Sequence, residues 1–149
     1  EGLAMPHTPR IFNGELYVLL SATGELVKIN KETGSYEVII KIDGFVRGMS
    51  FHKDYLFIGL SKLRKNSSTF GKLPFAEKAN EAGIIVIHLP TKSITGKLTY
   101  LTSLDEIYDV HILDGKIRPN ILNTITEDHK NGLMIPTTTF WKQDNVEKK

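Results

Sequence analysis

The chain has 149 residues, 40% of them apolar and 24% charged, which is enough for one ordinary domain with a real core and excludes a disordered polymer. Its formal charge of +2 comes from 19 Lys and Arg interspersed with 17 Asp and Glu, so there is no basic field to hold nucleic acid or an acidic membrane. The absence of cysteine excludes disulfides, thiolate metal sites and cysteine nucleophiles, and points to a reducing, cytoplasmic setting.

In chain order, residues 1–8 read as irregular, with Pro6 and Pro9 bracketing His7. Asn13-Gly14 is then a strong hairpin signal, since both residues tolerate the positive φ of a tight turn. Residues 16–20 are continuously apolar, which suits a strand buried on both faces. Turns at 22–24 and 31–34 lead into two further strands, 25–30 and 36–42. Residues 45–51 and 55–60, joined by the polar His52-Lys53-Asp54, predict the next hairpin.

This order repeats. Phe12-Asn-Gly-Glu-Leu-Tyr-Val18 matches Phe51-His-Lys-Asp-Tyr-Leu-Phe57 at an offset of 39, Gly24 to Asn30 resembles Gly83 to Leu89, and Thr33 matches Thr91 at an offset of 58. A third start is expected at residues 106–115, where Asp114-Gly115 replaces Asn13-Gly14. One unit is about 40 residues of four antiparallel strands, the content of a propeller blade. The fold expected is therefore all-β, a partial or fragmentary β-propeller. An insertion at 63–82 carries one short helix near Pro74, the repeat domain runs over 1–123, and 124–149 is a polar C-terminal tail. A ring needs at least about four blades, and roughly two and a half are visible. Three explanations fit: a fragment with missing N-terminal blades, which is the expectation, a homo-oligomer that shares blades between copies, or a smaller stacked-sheet fold that only echoes the repeat. No apolar run approaches the ~20 residues of a membrane helix, so no membrane contact is expected.

Gly2-Leu-Ala-Met-Pro-His-Thr-Pro-Arg10, Gly44-Phe-Val-Arg-Gly48, Gly59-Leu-Ser-Lys62, Thr69-Phe-Gly-Lys-Leu-Pro74 and Glu106-Ile-Tyr-Asp-Val110, taken in that order, resemble a bacterial family of conserved hypothetical proteins. That family is a domain of unknown function with propeller-like repeats. The resemblance covers residues 2–123; it implies a fold and carries no reaction.

The first strand of each propeller blade lines the central channel, which makes His7, Arg10, Arg47, Tyr108, Asp109 and His111 the candidate ligand-binding residues. Such a set suits a carboxylate, a sugar or a metal. Set against this, Arg47 and Asp109 could form a structural ion pair between units while His7 and His111 satisfy backbone groups. Hydrolase, zinc-protease and calcium-loop motifs are absent, and the 62–72 loop lacks the ending of a phosphate loop. The function expected is a non-catalytic module for an unknown small molecule or protein. The alternative is a metal-dependent hydrolase resembling the sugar-lactone hydrolases of six-bladed propellers, for which Asp109 is the one clear channel carboxylate.

Overall fold

A computed structural model describes residues 2–63, 79, 81–101, 104–117, 119, 125, 127–135 and 138–141. The chain divides into two compact units, Glu1–Ile112 and Leu113–Lys149. In the first, β1 (Pro6–Phe12), β2 (Glu15–Leu20), β3 (Glu25–Ile29) and β4 (Tyr36–Lys41) form one antiparallel sheet in that order. A second sheet repeats the layout with β5 (Phe45–His52), β6 (Tyr55–Ser61), β7 (Ala82–His88) and β8 (Ser93–Tyr100). The second unit contains a 3₁₀ turn, Glu127–Asn131, and a hairpin of β9 (Gly132–Ile135) and β10 (Thr138–Trp141). The apolar stretches of the expected tail thus lie in paired strands. The protein is all-β, and its two four-stranded sheets are not closed into a ring. The helix expected near Pro74 falls mostly outside the described residues; Ala82, its expected end, opens β7.

Local chemistry accounts for these elements. Asn13 and Gly14 adopt φ of 50° and 79°, as a two-residue turn between right-twisted strands demands. Lys53 takes the corresponding position at φ 53° in the second hairpin. β1 begins at Pro6, not at Arg10, despite its prolines. It is an edge strand, and Pro9 sits where the register slips between His7 and Arg10, so neither proline removes a ladder hydrogen bond from a central strand.

β2 is apolar on both faces because both are covered. Leu19 turns toward a core shared by the two sheets, with Leu26, Ile42, Val46, Met49, Leu56, Ile58, Leu60, Ile85 and Ile87. Val18 and Leu20 turn the other way and pack with Val27. Phe12 stacks on Phe51 at 4.4 Å between ring centres, and the Lys92 ammonium reaches Glu37 at 2.8 Å, so the sheets are joined at their margins too.

The hairpins correspond at a spacing of 40, one more than the sequence match suggests. Phe12 faces Glu15 and His52 faces Tyr55 across equivalent turns, so His52, not Phe51, stands where Phe12 does. The two phenylalanines are stacked neighbours. Beyond the insertion the spacing is 58: Ile29 faces Leu16 as Ile87 faces Leu56, and a hydroxyl pair at 2.7 Å recurs as Thr33 with Ser35 and as Thr91 with Ser93. Glu25, not Gly24, therefore corresponds to Gly83.

Candidate functional site

Residues 104–112, which include most of the expected start of a third unit at 106–115, have no ladder partner among the described residues and are held largely by contacts from the second sheet. The Ser61 hydroxyl accepts from the Ile107 amide at 2.9 Å and donates to the Ile107 carbonyl at 3.1 Å. The Lys62 amide donates to the Asp105 carbonyl at 2.8 Å, and the Lys62 ammonium meets the Asp105 carboxylate at 2.7 Å. Farther on, the Ile112 amide donates to the Ser50 hydroxyl at 3.2 Å. The crossing is close because two glycines permit it. A Cβ on Gly48, which has φ 70°, would lie 2.4 Å from Asp109 Cα, and one on Gly59 would lie 2.6 Å from Ile107 Cγ2.

The first sheet holds β5 in the same manner. The buried Ser21 hydroxyl donates to the Val46 carbonyl at 2.5 Å, as Ser61 does to Ile107. The Gly48 amide donates to the Thr8 hydroxyl, as Ile112 does to Ser50. Val46 precedes Arg47 and Ile107 precedes Tyr108, so the matching serine contacts put Arg47 of β5 and Tyr108 of the 104–112 segment at equivalent positions. His7 holds that position in β1, since β1 slips register just after His7 and β5 just after Arg47.

Four of the six expected residues meet in two direct pairs, Arg47 with Tyr108 and Arg10 with Asp109. The Arg47 guanidinium lies 4.4 Å from the centre of the Tyr108 ring, a cation–π distance. His7 meets the Phe45 ring edge-on at 6.5 Å. Burial, and secondarily the positive charge of Arg47, hold the His7 imidazole below its ordinary value of 6.5, so it is biased toward its neutral form.

Asp109 is paired with Arg10 at 2.9 Å, not with Arg47, and its other oxygen accepts the Val110 amide at 2.9 Å. The register explains the exchange, because Gly48 brings the Asp109 backbone against β5 while the side chain is left to reach across to β1. Among the described residues Arg47 has no carboxylate partner, and its Nε is a buried donor without an acceptor. His111 is exposed and makes no hydrogen bond or ion pair among the described residues.

The serines and Thr8 were not among the expected residues. Their one sequence signal is the Leu-Ser pair at Leu20-Ser21 and Leu60-Ser61, repeated at the spacing of 40.

A groove of about 600 Å³ at the turn end of the first sheet, lined by Gly14, Lys28, Asn30 and Glu37 among others, contains none of the expected residues. Its Glu37 is already engaged: a hydrogen bond from Lys92, with the charge of that residue and of Lys28, holds the carboxylate below its ordinary range. Among the described residues no three His, Asp or Glu side chains gather as a metal set, and no helix is long and apolar enough to cross a membrane.

No curated protein matches this chain. A family model described as a domain of unknown function (DUF4915) matches residues 1–122, most of the chain and every residue of the site, and the chain belongs to that family.

Proposed function

We propose that the protein is a non-catalytic binding module in which the two sheets and the 104–112 segment are successive blades of a propeller. On this reading His7, Arg47 and Tyr108 line the channel where the ligand is held. The blade size and the antiparallel order within each sheet support it. The observation that carries the reading is the recurrence of one position on β1, on β5 and on the 104–112 segment. There the side chains are large, polar and only partly engaged by the protein, whereas the neighbouring hydroxyls and glycines are spent on holding the strands together. A scaffold role alone calls for the second set of residues and not for the first.

The test is a binding screen followed by ¹H–¹⁵N NMR, using small organic acids, neutral sugars and divalent cations, with product analysis on the same samples. The expected result is a ligand that shifts the His7, Arg47 and Tyr108 amides and is recovered unchanged. Metal-dependent turnover that disappears in Asp109→Ala would replace the binding module with a hydrolase. A screen in which nothing moves those three amides would end the reading.

A further inference from the structure

We infer that the group recognised at this site is the carboxylate of a small organic acid, received end-on by the guanidinium of Arg47. The inference rests on the binding-module reading and adds the chemical class of the ligand.

Charge is the first argument. Among the described residues Arg47 pairs with no carboxylate, and the acid among the candidate residues, Asp109, engages Arg10 with one oxygen and the Val110 amide with the other. A single positive charge is therefore left uncompensated beside part-buried groups, where an opposite charge gains more than it would in open water. His7 is biased toward its neutral form and adds little to that charge. One uncompensated cation matches a monoanion better than a doubly charged phosphate, which calls for several cations or backbone donors.

Geometry is the second argument. The Arg47 Cζ lies over the Tyr108 ring, 4.4 Å from its centre, a contact that occupies no oxygen acceptor and leaves the cation able to take an anion. Nε is a buried donor without an acceptor, and no hydrogen bond joins either terminal nitrogen to another described residue, so an incoming anion would take the two Nη groups. Two parallel N–H donors match the two oxygens of a carboxylate. The aromatic ring beside them favours an acid with an apolar or aromatic body.

The probes are benzoate, its uncharged analogue benzamide, inorganic phosphate and glucose, each titrated into the whole chain and followed at the Arg47, Gly48 and Tyr108 amides. Benzoate is expected to saturate those shifts, with benzamide and phosphate binding at least tenfold more weakly. Arg47→Met, of similar length but uncharged, is expected to weaken benzoate by about ten- to a hundredfold, the loss of a charge-assisted pair of hydrogen bonds. Should that variant fail to fold, the benzoate to benzamide ratio on the unaltered chain decides alone.

Benzamide or phosphate binding as well as benzoate would overturn the carboxylate assignment, as would undiminished benzoate binding to a folded Arg47→Met. Glucose moving these amides where benzoate does not would refute the carboxylate and leave the binding module standing. If no probe moves them, both fall.

Discussion

Arg47 and His7 hold equivalent positions in β5 and β1, the first strands of the two sheets, yet their surroundings make opposite demands on charge. Arginine remains protonated wherever it sits, so stacking on Tyr108 is compatible with its ion. Histidine can discard its proton, and burial together with the neighbouring Arg47 charge favours that. The sign of the linkage follows. The unfolded chain takes up a proton at His7 near the ordinary value of 6.5, while the folded chain resists until the pH is lower. Stability is thus unaffected by His7 above that value and declines as pH falls through it, levelling off once the folded imidazole is itself protonated. His7→Gln, which cannot titrate, should remove this contribution. Urea unfolding of both proteins between pH 5 and 8 measures it as a difference that grows toward low pH in favour of the variant. A difference independent of pH would mean that His7 is equally easy to protonate in the two states.

Segment 104–112 shows how an element without a ladder is kept in place. Ser61 supplies both a donor and an acceptor to Ile107, in a setting that excludes water from the hydroxyl. Ser61→Ala removes that pair and leaves the Ile107 amide and carbonyl to find other partners. The expected cost is about 1–3 kcal/mol, the range for a buried polar group left unmatched. Hydrogen exchange should locate it, with the Ile107 amide losing protection well before those of β6 and β7. Equal loss throughout the second sheet would show that Ser61 supports the sheet and not the crossing segment. The turns, the continuous apolar run of β2 and the hairpin at 52–54 were legible in the sequence because each depends on local chemistry. Register was legible only to within one residue: the likeness of Phe12 to Phe51 masked the fact that they stack as neighbours, and turn position, not side-chain similarity, sets equivalence. The candidate residues stood out in the sequence as large polar side chains at the expected starts of the repeat units. Their partners were not, because whether Asp109 reaches Arg10 or Arg47 depends on a glycine at the crossing that no spacing rule reveals.

At the level of the whole molecule, the first unit has its centre of stability between its two sheets, not within either of them. Leu19 and Leu26 from the first sheet share one buried cluster with Leu56, Ile58, Leu60, Ile85 and Ile87 from the second, and Ile42 in the connection between the sheets belongs to it as well. A four-stranded sheet with one bare apolar face has little reason to persist in water, so each sheet depends on the other. Leu26 is a sharp test because it lies in the first sheet, is fully buried and belongs to the cluster that both sheets share. Leu26→Ala should cost about 2–5 kcal/mol through lost burial and the cavity left behind. The informative quantity is where that loss appears. If the sheets fold as one cooperative body, denaturant unfolding stays a single transition, and slow-exchanging amides in β6 and β7 lose as much protection as those in β2 and β3. Protection lost from the first sheet alone would mean that the second is stable by itself, and that the shared core joins two independent bodies. In the cooperative case, a ligand drawing the first strands together at His7, Arg47 and Tyr108 should protect both sheets at once, although it touches only their inner edges.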